Sequence, residues 1–327
     1  MKMNGVGTRI GCMVLALCVS LLTIPSSEAA RVSRVGWLEV CDPGPQRPNF
    51  DIFRRRLAEL GYLEGNNLII EQRFADCRYD RVSGLATELV EVPVDVLFTL
   101  GTRASRIVAE TVKTTPLVVY SCDPFEHVTR LARGRENLTG VTCMTTELSP
   151  KRLELLHEAV PGASRVMFLH DPQSAPNAWT LTQAAAPRLG ITLQQAPVRS
   201  AEELLPQLAT IAEERPDALF VSSDVALSSY PRPQQLAEFA IKNHLPMINA
   251  FRVFTDAGGL MSYGATISEI YASGAEQVAK VLGGTRPSEL PVREATRFEL
   301  VINSRTARTI GLAIPPSLLA RADEVIE

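Results

Sequence analysis

A regular beat runs through most of this chain: a short apolar run, an amphipathic stretch of helical period, then another short apolar run. It begins at Val35-Gly-Trp-Leu-Glu-Val40, followed by a stretch that puts Phe50, Phe53, Leu57 and Leu60 on one face and stops at Gly61, a residue suited to a left-handed helix cap. It continues through Leu68-Ile-Ile70, a helix carrying Val82, Leu85, Leu89 and Val90, the run Val94 to Leu100, a helix from Thr102, and the run Pro116 to Tyr120. Short strands separated by helices predict a parallel sheet with crossover helices. The third and fourth strands are continuously apolar, which predicts a sheet covered on both faces.

Near Leu138-Thr-Gly-Val-Thr142 this unit ends, and Ser149-Pro150 has the form of a capped helix start with proline at the first helical position. The beat then restarts, with strands at 165–169, 192–195, 218–221, 246–249 and 260–263. The expected fold is α/β, with two similar doubly wound parallel-sheet lobes in tandem. Thr266-Ile-Ser-Glu269 reads as a capping box opening a helix whose stripe is Ile270, Ala275, Val278, Ala279 and Leu282, closed by Gly283-Gly284.

Residues 1–29 read as an export signal: Lys2 and Arg9 give a basic start, Ile10 to Ile24 is an uncharged run of 15 residues, and Ser27-Glu-Ala29 offers small residues for cleavage. That run is shorter than the roughly 20 residues a membrane-spanning helix needs. Lipid attachment at Cys18 is the alternative, with the bulky Leu17 against it. Losing Lys2, Arg9 and Glu28 takes the formal charge from −3 to −4, and no basic block is present, so nucleic acid is not an expected partner. Four cysteines remain, Cys41, Cys77, Cys122 and Cys143, in a chain whose export would let disulfides persist. Their spacings of 36, 45 and 21 do not resemble a zinc site. If the first lobe has the common 2-1-3-4-5 strand order, Cys41 and Cys77 follow adjacent strands and are the expected pair. Cys122 and Cys143 pair on the same logic, with the second at or beyond the crossover.

No hydrolase elbow, phosphate-binding loop or zinc-protease motif is legible, and His127, His157, His170 and His244 are scattered over different elements. No cofactor or metal is implied. Open parallel sheets bind ligands beyond the carboxyl ends of their strands, which directs attention to the polar residues there. In the first unit these include Asp42, Gly101-Thr102, Tyr120 and Asp123. Glycine admits close backbone approach, and the amino end of the helix after it, with the Thr102 hydroxyl, suits a carboxylate. In the second unit the candidates are Asp171, Asp224, Asn249 and Phe251. An acid such as Asp224 suits an ammonium. Arg252 has the reach for an acidic ligand or for a salt bridge across the hinge.

The stretch Gly258-Gly-Leu-Met-Ser-Tyr-Gly264, the run Phe298-Glu-Leu-Val-Ile-Asn303 and the tail from Gly311 to Glu327 resemble ABC-transporter substrate-binding proteins, in the family that includes binders of tryptophan, tyrosine and phenylalanine. The likeness extends back to Val35. It implies a type I periplasmic-binding-protein architecture with a hinge: lobe 1 from 30–145 plus about 266–290, lobe 2 from 146–265 plus about 291–327. It also implies a periplasmic monomer that captures a small solute, an aromatic amino acid foremost, in the interlobe cleft and presents it to an inner-membrane ABC permease with its ATPase. Gly101-Thr102 matches a Gly-Thr/Ser position in that family's cleft, and Asp224 a Ser-Asp position, although Val225 stands where proline is frequent. Asp123-Pro124 resembles a Gly-Asp-Pro in which Cys122 replaces the glycine. A sensor docking on a signalling receptor and a secreted α/β hydrolase are the alternatives; a transcription regulator would need a helix-turn-helix where the leader stands.

Overall fold

Two sheets carry the fold of the computed structural model, which describes residues 1–2, 31–42, 48–122, 125–174 and 176–327. The leader, its cleavage site and Cys18 lie outside the described residues, and all that follows concerns Val32–Glu327. In chain order the strands are β1 (Ser33–Glu39), β2 (Leu68–Phe74), β3 (Val96–Leu100), β4 (Leu117–Ser121), β5 (Leu138–Thr142), β6 (Arg165–His170), β7 (Thr192–Pro197), β8 (Ala218–Val221), β9 (Met247–Asn249), β10 (Met261–Ala265), β11 (Arg293–Glu294), β12 (Phe298–Asn303) and β13 (Glu324–Ile326). The first sheet runs β11-β5-β4-β3-β1-β2 and the second β13-β12-β10-β9-β8-β6-β7. Each contains the doubly wound 2-1-3-4-5 order, with a helix after nearly every strand.

The second sheet is not wholly parallel, because β12 runs antiparallel to β10. β11 runs parallel to β5 and so ends at the carboxyl edge of the first sheet, and after Ala295, Thr296 and Arg297 the chain enters the second sheet from the carboxyl edge of its strands, which sets β12 against the direction of β10. The return to the second sheet also comes later than residue 291. Arg293 and Glu294 pair with Val141 and Thr142 of β5, and the Ala295 N–H donates to the Thr142 carbonyl at 2.9 Å. Glu269 does not reach back to close a capping box. Its carboxylate accepts the N–H groups of Thr296 (3.3 Å) and Arg297 (2.9 Å), tying the helix Ile267–Leu282 to the returning strand. Ser149 likewise turns its hydroxyl to the Thr145 carbonyl at 3.0 Å rather than capping the helix Ser149–Ala159.

Aromatic side chains fill one face of the first sheet. Trp37 lies 4.9 Å from Phe53 and 5.2 Å from Phe98 between ring centroids, and the helix Ile267–Leu282 closes over them with Tyr271. Gly274 allows that closure, since a Cβ there would stand 2.8 Å from the Phe98 ring. The second sheet has its own stack, Phe168 on Phe220 at 4.8 Å, covered by Leu153 and Leu156. Emptying either stack by a phenylalanine-to-alanine change should cost about 3–5 kcal/mol. These cores hold the strand ends, and the loops leaving them, in fixed positions.

Candidate functional site

Loops from the carboxyl ends of both sheets converge on one cavity. After β2, β3, β4 and β5 come Tyr79, Gly101 with Thr102, Cys122, and Thr145 with Thr146; after β6 and β8 come Ser174 and the run Ser223-Asp224-Val225. The structure therefore brings Gly101, Thr102 and Asp224 to a common space.

Gly101 precedes the helix Thr102–Thr111 with φ of +94°, a left-handed value that favours glycine. A Cβ there would meet Val225 Cγ2 of the opposite wall at 2.6 Å, so the lack of a side chain lets the walls meet. The first N–H groups of a helix have no intrahelical acceptor, which leaves donors at the cavity edge. The Thr102 hydroxyl is occupied differently from the sequence expectation: its oxygen accepts the Cys122 N–H at 3.0 Å and lies 3.3 Å from Ser121 Oγ. It fixes the end of β4 rather than projecting a free donor.

Asp224 is almost fully buried, at 3% exposure. Its Oδ2 accepts the Asp171 N–H at 2.8 Å and the Ser222 hydroxyl, whereas Oδ1 has no partner among the described residues. Burial pushes the carboxyl up to about 7, against the lowering effect of those two hydrogen bonds and with a further rise from the charge of Asp171.

Asp171 is spoken for. Its carboxylate accepts the Gln173 N–H at 2.9 Å and the Ser174 hydroxyl at 2.6 Å, and Arg103 from the other lobe approaches to 3.6 Å. Asn249 is also committed: Nδ2 donates to the Val221 and Ser222 carbonyls at 2.9 and 3.1 Å, and Oδ1 accepts the Phe251 N–H at 2.7 Å. It positions the loop that carries Asp224. Phe251 and Tyr120 are core residues, Tyr120 packing edge-on to Tyr271 at 5.5 Å. None of these four lines the cavity, nor does Asp42, which is exposed. Asp123 lies outside the described residues. Arg252 binds Asp256 and Glu324 within its own lobe, and so makes no bridge across the hinge.

Direct contacts close the mouth of the cleft. The Arg103 guanidinium sits 4.1 Å from the Tyr79 ring centre while facing Asp171, Arg106 donates to the Gln173 carbonyl at 2.7 Å, and Tyr79 Oη lies 3.4 Å from Ser174 Oγ. Cys41 and Cys77 are joined in a disulfide with a Cα separation of 4.3 Å. Cys77 also receives Arg232 from the other lobe at 3.4 Å. The disulfide thereby anchors the loop that delivers Tyr79 to the mouth.

Two doubly wound lobes whose strand ends meet around one polar cavity define a two-lobed binding protein. The chain belongs to the ABC transporter substrate binding protein family, whose model matches residues 50–326. Members of this family bind solutes and are not enzymes. A tyrosine-binding protein of Clostridioides difficile (strain R20291) is 20% identical over 266 residues, 80% of this chain and 75% of its own length. A conserved domain protein from Vibrio cholerae superposes with a TM-score of 0.80 at 24% identity, over 90% of this chain and 100% of that one. An ABC domain in complex with L-Trp from Streptococcus pneumonia gives a TM-score of 0.78 at 21% identity, over 90% and 99%.

Proposed function

We propose that this protein is the periplasmic, monomeric solute-binding component of an ABC importer, delivered there by its cleavable leader, and that it captures an α-amino acid between its lobes by hinge closure. The observation that carries the reading is the unpartnered Oδ1 of buried Asp224 in the same cavity as the amino end of the Thr102–Thr111 helix on the opposite lobe. A buried acceptor left open suits an ammonium, and helix N–H donors suit a carboxylate. A ligand bearing both groups touches both walls at once, so binding and closure become one event. An aromatic side chain is favoured by the named relatives and by the Tyr79 ring at the cavity. Closure presents the loaded cleft to an inner-membrane permease driven by its ATPase.

A thermal-shift screen across amino acids, sugars and simple carboxylates tests this. Stabilisation by one or a few α-amino acids is expected, confirmed by calorimetry. Stabilisation by a sugar or a monocarboxylate alone would reject the ligand class.

A further inference from the structure

We propose that Cys122 and Cys143 form a second disulfide site at the floor of the cleft, reached by small disulfides and thiols only when the lobes part. β4 and β5 run parallel with Ser121 opposite Thr142, which places the next residues, the two cysteines, opposite each other. Their sulfurs lie 2.7 Å apart, inside the contact distance of non-bonded sulfur atoms, and the Cys143 N–H donates to the Ser121 carbonyl at 3.2 Å. The surrounding backbone is held on several sides. Thr146 Oγ1 donates to the Cys122 carbonyl at 2.9 Å, and the Cys122 N–H donates to Thr102 Oγ1. Bond formation thus needs the two sulfurs to approach from 2.7 Å to the roughly 2.05 Å of a disulfide.

Cys143 is the more readily ionised of the two. Burial opposes its ionisation, but hydrogen bonding with Cys122, Thr145 and Tyr120 outweighs it and holds the thiol below its ordinary range, whereas the bond with Cys143 and burial push Cys122 up. With oxidised glutathione as oxidant, one cysteine thiolate attacks its disulfide to give a mixed disulfide and one glutathione. The second cysteine then displaces the other glutathione, and the two cysteine protons end on the two glutathione thiols. Access decides the rate. Cys143 is fully buried and Cys122 is 8% exposed, its exposed side belonging to the cavity.

The test needs no ligand, so it stands or falls separately from the amino-acid reading. The purified chain is fully reduced, equilibrated in glutathione buffers of increasing oxidation, acid-quenched, alkylated in denaturant and digested for mass spectrometry. Peptides joined through Cys122 and Cys143, lighter by two hydrogens than the reduced pair, are expected beside the Cys41–Cys77 pair. Recovery of both Cys122 and Cys143 as alkylated thiols in a buffer that fully forms Cys41–Cys77 would overturn the site, as would crossed pairing with Cys41 or Cys77. Removing the mouth contacts with Arg103→Ala should speed oxidation of Cys122 and Cys143 several-fold; a rate equal to wild type would refute access through the cleft.

Discussion

The two walls of the cleft are built on the same topology yet meet the ligand space with opposite chemistry. The first-lobe wall offers donors, the amino end of the Thr102–Thr111 helix with Arg103 and Arg106, and its hydroxyls are bonded among themselves. The second-lobe wall offers two neighbouring acids. Asp171 is answered by Arg103 across the mouth, whereas Asp224 keeps one oxygen open. The difference separates the two acids: one is paired across the mouth, and the other keeps the open oxygen to which the proposed ammonium is assigned. A buried carboxylate without a counterion is unfavourable, so ionised Asp224 is costly to the empty protein, and the proposed ammonium would offset that cost.

The strongest way to break the contrast is Asp224→Ala, which should weaken binding of the amino acid identified by the screen by about 3–5 kcal/mol, since it strands a buried ammonium. Calorimetry measures this. Asp224→Asn should act in the opposite sense on the empty protein. In the folded state Asp224 titrates near 7, above its ordinary value of 3.8, so the fold binds the extra proton between these values. Stability of the empty protein should therefore fall as pH rises from about 4 to about 7, by on the order of 2–4 kcal/mol, and the Asn variant should lack this slope. Parallel melting curves of the two proteins at pH 5 and pH 8 would reveal a shared slope if the assignment is wrong.

Gly101→Ala attacks the contact between the walls. It adds backbone strain of roughly 1–3 kcal/mol to the first lobe, since φ +94° with ψ 142° is a conformation that essentially only glycine adopts, and it drives a methyl group into Val225. Affinity should drop by about 1–3 kcal/mol from the overpacking alone, because the backbone strain is the same whether the walls meet or part and lowers stability only. Adding Val225→Gly should recover the overpacking part while the loss of stability persists. No recovery would mean that the walls do not meet at these residues.

Much of this geometry was legible in the sequence because it follows from periodicity. The strand beat foretold both sheets, the 2-1-3-4-5 order entered only as a condition on the first lobe, and the rule of carboxyl strand ends directed attention to Gly101-Thr102 and Asp224. The same rule applied to β2, β5 and β6 leads to Tyr79, Thr145, Thr146 and Ser174, which the reading passed over because an isolated tyrosine or threonine in a loop carries no motif. What periodicity cannot show is how polar atoms are shared. Asn249 and Asp171 are the same residue types that bind ligands elsewhere, but their hydrogen bonds are used up inside the loops. The direction of β12 was hidden for a different reason, since FELVIN reads as a strand whichever way it runs.

Arg103→Ala should remove the ring contact with Tyr79 and the partner of Asp171, leaving a buried acid exposed to the parting cleft. The Arg103 side chain is about a quarter exposed, so the pair is partly screened and a loss of about 1–2 kcal/mol in closure is expected. Small-angle scattering should show a larger radius for the empty variant, with ligand affinity falling several-fold. An unchanged radius would show that the mouth contacts do not set the opening.

The smallest effect is expected at Thr102. A hydroxyl that donated directly to the ligand carboxylate would be worth about 1.5–3 kcal/mol of affinity. The observed hydroxyl instead receives the Cys122 N–H, so Thr102→Ala strips an acceptor from a buried backbone group and should act mainly on folding stability, by about 1 kcal/mol. Thr102→Ser retains the oxygen and should restore most of that loss. Affinity should change by less than about 1 kcal/mol in both variants, because the helix N–H groups at the cavity are backbone and survive each substitution. A loss of affinity in the Ala variant well above its loss of stability, rescued by Ser, would return the hydroxyl to the ligand and make the first wall as directly engaged as the second.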